Sequence, residues 1–476
     1  VNLRFIEFPK TNFIRMSKIN NIVSRLLLVF VMAAAAVSCK KDDEASSVFV
    51  FDQKTYVFEA GQSQNAEFSK RHVSKVEIAE ITDGWNAVIG SSAVTITAPS
   101  VVTEDNESGT VELKAYGNTT ITVLLKVSVR AAEDLSADGM ANCYIAPQKN
   151  TRYKFRATAK GGDTSLTLAP AGARLVWQSA KNLINYIAYD NGYIMFSTSE
   201  TDSYGNGVIA AVDEQNNILW SWHIWFADYN PEATAQTYSN SLVFMDRNLG
   251  AYGCDTSSVN EIWKSYGMLY QWGRKDPFVG SRGYHTDADQ STYDALNKWQ
   301  AFEIQQTAEK TGTVEYTIAN PMKFLTGVEK SGYDWLYAER DNTLWGADGS
   351  KSIYDPCPYG WRVPPTSAWT GFTATGKQSE DASQFNVYGT YRDGWMFFYD
   401  GSLTTYYPAA GRRSFSAGVY TNVDSLGYDP TGFYWSDSAF TSDERMASAL
   451  DFTKGMINPA GCLYRAGGLS VRCVKE

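Results

Sequence analysis

Thr110-Val111-Glu112-Leu113-Lys114-Ala115-Tyr116, Gly117-Asn118, Thr119-Thr120-Ile121-Thr122-Val123-Leu124-Leu125-Lys126-Val127-Ser128-Val129: this run decides the fold class. The first segment alternates apolar and polar residues with the period of two of a half-buried strand. Gly-Asn is a turn signal, and the second segment is rich in β-branched residues. The pattern extends backward through Val48-Phe49-Val50-Phe51, Thr55-Tyr56-Val57-Phe58, Lys75-Val76-Glu77-Ile78 and Ala93-Val94-Thr95-Ile96-Thr97. Short strands at this spacing predict an immunoglobulin-like β-sandwich over residues 47–131.

Forward of it, Ala131 to Asp138 reads as a polar linker. Arg174–Trp177, Ile184–Tyr189, Tyr193–Thr198 and Gly207–Val212 are then β-prone runs separated by Asn, Gly and Asp turns. They predict a β-hairpin-rich module over residues 132–240. Thr292 to Lys310 has helical spacing, and Thr366 is placed to cap a short helix after Pro364-Pro365. The fold class expected is mainly β with some α, in several domains.

The amino-terminal segment points to export. Lys18 and Arg25 precede the apolar run Leu26 to Val37, which meets Ala36-Val37-Ser38-Cys39. A basic region, a short apolar region and small residues before a cut describe a signal peptide over residues 1–39. The run is too short to span a bilayer comfortably. A cysteine directly after the small residues is the acceptor of a lipobox, so Cys39 is the expected lipidation site, and acyl chains replace a spanning helix as the membrane anchor. Residues 40–46 follow as a charged tether. Its Lys40-Lys41-Asp42-Asp43-Glu44 resembles the acidic export signal of surface-exposed Bacteroidota lipoproteins. The expected location is the outer membrane, lipid-anchored and surface-exposed.

Composition excludes some partners and chemistries. The formal net charge is -10 and no Lys/Arg-rich run occurs, which argues against nucleic acid. The histidines, His72, His223 and His285, are far apart, and no Cys-x-x-Cys occurs, so no zinc or iron site is expected. His223, between Trp222 and Ile224, reads as a packed histidine. Calcium is the one metal with any candidate ligands, Asp424, Asp429 and Asp437, although their spacing fits no defined loop. A nucleophile elbow and a phosphate loop are both absent. Carboxylates are plentiful, but none stands out as a glycosidase pair.

The carboxy-terminal half carries a dense series of strings. Trp220-Ser221-Trp222-His223-Ile224-Trp225 comes first, then Met245-Asp246-Arg247-Asn248-Leu249-Gly250-Ala251. Gly267-Met268-Leu269-Tyr270-Gln271-Trp272-Gly273-Arg274-Lys275-Asp276-Pro277-Phe278 follows, then Asn320-Pro321-Met322, Asp334-Trp335 and Leu344-Trp345-Gly346. Tyr354-Asp355-Pro356-Cys357-Pro358-Tyr359-Gly360-Trp361-Arg362-Val363-Pro364, Gly432-Phe433-Tyr434-Trp435-Ser436 and Ser470-Val471-Arg472-Cys473-Val474 complete the series. In this order they resemble the Fibrobacter succinogenes major paralogous domain family, over about Trp220 to Glu476, and from Gly139 if Ala141-Asn142-Cys143-Tyr144-Ile145 is included. Asp83-Gly84-Trp85 and its strands loosely resemble the carbohydrate-associated BACON sandwiches.

The resemblance implies a secreted or surface protein, often a lipoprotein, sometimes associated with adhesion or pilus tips, with no established enzymatic activity. Gly-Trp-Arg-Val-Pro and the closing Val-Arg-Cys also resemble the C-type-lectin-like fold of formylglycine-generating enzymes, which implies an α+β C-type-lectin-like domain over residues 241–476. That enzyme's chemistry needs a close reactive cysteine pair, and Cys462 and Cys473 do not match its spacing. Cys357 and Cys473 are the expected disulfide; with Cys143, Cys254 and Cys462 the count is odd, so at least one thiol is free or pairs between chains.

Read as residues, Arg and Asp beside Trp suit loops where a guanidinium stacks on a ring and pairs with a carboxylate; Arg247 with Asp246 and Arg274 with Asp276 are the candidates. These aromatic loops read first as a structural framework, since buried Trp packs. The functional expectation is a platform for a glycan or protein ligand, with Tyr406, Tyr407, Tyr420, Tyr428, Tyr434 and Trp435 as the candidate surface. A pilus or envelope assembly component and a carbohydrate-active enzyme are the alternatives, the first with pilus subunits as partners.

Overall fold

The computed structural model describes residues 46–103, 105–199, 204–281, 291–346, 349–423 and 429–476. The signal peptide, Cys39, the run Lys40–Glu44, His285, Asp424 and Tyr428 lie outside the described residues. Among the described residues no helix is long and apolar enough to cross a membrane.

The chain is mainly β, and the described residues include the two short α-helices Val259–Lys264 and Val314–Ala319. It divides into two compact units. Of the described residues, the smaller comprises 46–56, Gln64–Ile96 and Thr110–Lys126; the larger comprises those of Val57–Ser63, Thr97–Gly109 and Val127–Glu476.

Residues 47–129 hold two four-stranded sheets. One runs in the order Val48–Phe51, Ser63–Arg71, Ala93–Thr97, Asn86–Ile89, the other Thr55–Phe58, Thr120–Val129, Ser108–Gly117, Val73–Ile81. The expected alternation holds: Val123, Leu125, Val127 and Val129 are buried, while Leu124 and Lys126 face out. Phe49, Phe51 and Phe68 pack edge to face or tilted, with ring centroids 5.1–5.5 Å apart.

In the larger unit a six-stranded sheet runs Cys143–Ala146, Ile218–Phe226, Gly205–Val212, Gly172–Gln178, Thr292–Tyr293, Trp299–Gln300. Its first pair is parallel. The strand Ile218–Phe226 explains the string Trp220–Trp225. Trp220, Trp222, Ile224 and Phe226 project into one apolar cluster with Phe155, Phe196 and Ile209. Ser221, His223 and Trp225 project from the opposite face, as the period of two requires. Trp225 joins a second cluster that includes Cys143, Trp177, Trp272, Trp335, Trp345, Trp361, Trp435 and Cys473. Because that cluster draws on residues from Cys143 to Cys473, the expected boundary at residue 240 does not separate two bodies.

A seven-stranded sheet carries the closing motifs in the order Tyr420–Thr421, Arg412–Arg413, Gly468–Ser470, Gly432–Ala439, Met446–Phe452, Ile457–Tyr464, with Leu269–Gln271 paired to Gly468–Ser470. Cys357 and Cys473 form the expected disulfide, with Cα atoms 6.1 Å apart.

Two helical expectations change. Thr292–Lys310 is not a helix: it forms the hairpin Thr292–Tyr293/Trp299–Gln300 and the strand Glu303–Gln306. Asn297 turns the hairpin with φ 60°, in the left-handed region Asn tolerates. Its Oδ1 accepts from Asn182 N at 2.8 Å and Gln178 Nε2 at 3.2 Å, tertiary bonds that outweigh the helical spacing. Thr366 does start a helical turn, Thr366–Phe372, but this is a 3₁₀-helix with Pro365 at the cap position and no side-chain cap.

Candidate functional site

The strings that define the carboxy-terminal half bond to one another. Trp272 Nε1 donates to Ser436 O at 2.9 Å, Trp335 Nε1 to Trp272 O at 2.7 Å and Trp345 Nε1 to Arg274 O at 3.2 Å. Trp435 Nε1 donates to Tyr270 O at 2.8 Å and Trp225 Nε1 to Ala251 O at 2.9 Å. Each indole thus fills a cavity and satisfies its own buried N–H on a main-chain carbonyl. Asn142 donates to Ile353 O at 2.7 Å and Asp355 O at 2.8 Å, and accepts from Trp220 Nε1 at 2.9 Å. Asp355 accepts from Cys357 N and Val363 N, both at 2.8 Å, closing the loop ahead of Trp361. Burial pushes the Asp355 carboxyl up to about 6.

Of the two expected Arg–Asp pairs, one forms. Arg247 grips Asp246 with two bonds of 2.8 and 3.0 Å, and its guanidinium lies 4.0 Å from the Tyr229 ring centroid. Arg274 donates instead to Gln271 Oε1 at 2.7 Å and Lys323 O at 2.8 Å, while Asp276 takes Lys275 at 2.8 Å and Ser221 Oγ at 2.6 Å. The sequence reading chose the wrong cation: Asp276 pairs with its immediate neighbour Lys275, and both bond to Ser221 on the motif strand.

The expected aromatic platform is core. Tyr406, Tyr407, Tyr420, Tyr434 and Trp435 are all buried. Tyr406 OH donates to Arg392 O and Asp393 O at 2.7 and 2.8 Å, Tyr420 OH to Val279 O at 2.6 Å, and Tyr434 OH to Pro408 O at 2.7 Å. Tyr407 OH meets Tyr238 OH at 2.8 Å. The reason is two-sided cover. The strand Gly432–Ala439 is interior to its sheet, and Tyr434 and Trp435 enter different clusters on its two faces. The calcium candidates also have other partners: Asp437 pairs with Arg362 at 3.3 Å and Asp429 with Lys454 at 3.4 Å. Among the described residues no group of three or more His, Cys, Asp or Glu is placed to hold a metal ion. Cys473 is spent in the disulfide, so it forms no reactive pair with Cys462, whose thiol donates to Met446 Sδ at 3.3 Å.

His223 is packed, as expected, inside a buried polar network. Asn206 Nδ2 donates to Gly250 O at 3.0 Å, so its Oδ1 accepts from His223 Nε2 at 2.8 Å. The Nδ1 atom then accepts from Tyr270 OH at 3.2 Å, with Cys143 Sγ at 3.5 Å. Cysteine, histidine and asparagine also make up a thiol-protease triad, but the electrostatics here are opposite. Burial pushes the Cys143 thiol well up and the His223 imidazole down to about 3, so neither forms a thiolate–imidazolium pair. A depressed imidazole contributes stability above the unfolded value near 6.5, and that stability is lost as pH falls toward 3. His223→Gln is therefore expected to flatten the acid limb of the stability profile by about 1.4 kcal/mol per pH unit between pH 6 and 4. Urea unfolding at stepped pH checks this; parallel profiles for the two proteins would refute it.

Exposed aromatic surface lies elsewhere, over this network. Ser179, Ala180, Lys181, Tyr204, Tyr252, Trp263, Ser291 and Tyr293 line an open groove of about 490 Å3. Tyr252 and Trp263 meet edge to face at 5.9 Å, and Tyr204 is 54% exposed. Asn206 N donates to Ser179 Oγ at 2.9 Å, joining the groove floor to the His223 network. Gly205 keeps the floor close: an added Cβ would strike Leu183 and Ser179. Tyr293 pairs across the hairpin with Trp299, so both side chains share a face, and Trp299 is 69% exposed. The sequence reading missed this surface because it placed Tyr293 and Trp299 on a helix. The alternation of Tyr293 and Trp299 about an Asn turn was the available signal.

No family model matches the chain, and no curated protein matches it. Similar in part among solved structures is an endo-fucoidan hydrolase of glycoside hydrolase family 107, at 9% identity and TM-score 0.18, over 39% of this chain and 29% of that one. Extracellular cadherin domains 3-6 of Protocadherin Gamma B2 align at 16% identity and TM-score 0.16, over 39% and 52%. Sidekick-1 immunoglobulin domains 1-5 align at 9% identity and TM-score 0.15, over 37% and 38%. The chain spans less than a third of the hydrolase and about half of the protocadherin, and likenesses this low carry no argument about fold or function.

Proposed function

We propose that this chain is a surface lipoprotein of the Fibrobacter succinogenes major paralogous type, anchored through Cys39, whose lectin-like region binds an extracellular saccharide without transforming it. The observation that carries the reading is the open groove lined by Tyr204, Tyr252, Trp263 and Tyr293 and flanked by Trp299. Aromatic faces stack on the C–H faces of pyranose rings, and tyrosines and tryptophans contribute contact area with few rotamers to freeze. Ser291 and the phenols of Tyr204 and Tyr293 add hydroxyls at the rim.

The test is binding of the full-length protein, extracted in detergent, to an array of extracellular glycans. Trp299→Ala is expected to weaken the best ligand by tenfold or more, because an exposed aromatic anchor behaves as a hot spot. Its exposure keeps the fold out of the result. Binding unchanged in Trp299→Ala and Tyr293→Ala would remove the groove from the reading.

Assembly with a protein partner is the second reading. It is favoured by Leu296, 73% exposed on the same hairpin. In that case no glycan binds, and Leu296→Asp abolishes co-purification with an envelope subunit.

A further inference from the structure

We infer that the larger unit carries a second saccharide site, in which Tyr333, Phe415 and Tyr464 stack on a neutral pyranose and the Arg445–Asp443 pair takes its vicinal hydroxyls. It shares the ligand class of the proposed function but none of the groove's residues. Three separate elements bring the rings together. Tyr464 ends the strand Ile457–Tyr464, Phe415 lies in the turn between Arg412–Arg413 and Tyr420–Thr421, and Tyr333 follows the 3₁₀ turn Glu329–Ser331. Ring centroids are 4.6 Å apart for Phe415 and Tyr464, 5.0 Å for Tyr333 and Tyr464, and 5.2 Å for Tyr333 and Phe415. All three are half-buried, unlike Tyr434 and Trp435 in the core.

The backbone is strained to present one of them. Tyr333 has φ 59°, directly after Gly332 at φ 64°, a conformation rare for a bulky side chain. It is held there from both sides: Tyr333 N donates to Val328 O at 2.9 Å, and Ala466 N donates to Tyr333 O at 3.3 Å. Gly327 permits the close approach, since an added Cβ would strike the Tyr333 main chain. Strain that the surroundings over-determine gathers at ligand clamps, and here it places a ring that stays half in water.

The polar partners stand beside the rings. Asp443 accepts from Arg445 Nε at 2.8 Å and Nη2 at 2.6 Å, and the two side chains are 25% and 50% exposed. The Arg445 stem passes over Gly332, next to Tyr333, and its charge interacts with both Tyr464 and Tyr333. Sugar hydroxyls both donate and accept, so an adjacent carboxylate and guanidinium match two neighbouring hydroxyls, while the rings take the C–H face. Asp443 neutralises Arg445, which favours an uncharged sugar over a uronate. Arg340, the other cation at Gly332, donates to Ser331 O at 3.2 Å.

The experiment titrates cellohexaose, xylohexaose, mannohexaose and polygalacturonate against the full-length Trp299→Ala protein, in which the groove is disabled. At least one neutral hexaose is expected to bind. Adding Tyr464→Ala or Arg445→Lys is expected to weaken it about tenfold or more, since an ammonium lacks the planar fork. Asp443→Asn, on the surface, is expected to turn the preference toward polygalacturonate with melting behaviour unchanged, a change that lost packing alone does not produce. No hexaose binding to Trp299→Ala, binding that survives both Tyr464→Ala and Arg445→Lys, or polygalacturonate bound more tightly than every hexaose overturns the inference and leaves the groove untouched. Hexaose binding to the wild type that ignores Trp299→Ala but is lost with Tyr464→Ala supports this site and overturns the groove reading instead.

Discussion

Arg472→Leu is expected to lower the unfolding free energy by about 2–6 kcal/mol, the cost of leaving two buried acceptors without their donor. The guanidinium is buried, and its hydrogen-bond partners are neutral. Nε and Nη2 donate to Asn248 Oδ1 at 3.1 and 3.0 Å, Nη2 also to Tyr406 O at 2.7 Å, and Nη1 to Thr405 Oγ1 at 3.4 Å. Its Cζ lies 3.7 Å from the Tyr407 centroid. Leucine fills part of the volume but orphans a side-chain amide oxygen and a main-chain carbonyl, each costing about 1–3 kcal/mol when buried. The loss spreads, because Asn248 also donates to Tyr266 O and Tyr434 OH. Arg472→Lys is expected to recover only part, since an ammonium lacks the planar fork. Urea unfolding followed through the buried tryptophans measures both; a loss below about 1 kcal/mol for the leucine variant, outside this range, would refute the network's role.

Removing the disulfide is the second large effect. Cys357 and Cys473 are separated by 116 residues. A loop of that length costs the unfolded chain about 4–5 kcal/mol of closure entropy in the chain-entropy account. The double variant Cys357→Ala, Cys473→Ala is expected to lose about that much, with little change at the groove. Both sulfurs are buried, so reductant alone acts slowly on the folded protein. A double variant as stable as the wild type would refute the effect. Mass mapping of a non-reduced digest is expected to recover the linked pair, with Cys143 and Cys462 as thiols.

Local order was legible where period and environment agree. Thr110–Val129 alternates because one sheet face is buried and the other wet, and the structure keeps that division. Thr292–Lys310 went the other way: helical spacing over a few turns is a weak preference, and the bonds from Asn297 to Gln178 and Asn182 come from far along the chain. The motif strings were legible as a framework, since Trp beside Gly, Asp and Arg signals rings packed among loops. Their pairing was not: Asp276 took Lys275 rather than Arg274, because Ser221 on the motif strand bonds both, while Gln271 and the Lys323 carbonyl take Arg274.

The amino-acid order alone was enough for the β class, the exported character of the first residues as an expectation, and the pairing of the last cysteine with the one before Gly-Trp-Arg-Val-Pro. Which aromatic faces meet water was settled by tertiary packing. Tyr434 and Trp299 are equally plausible as anchors on paper; one sits in a strand covered on both faces, the other on a two-residue strand at a sheet edge. Burial of a ring depends on what a second element, distant in sequence, lays across it, and that information is carried by no residue's own neighbours.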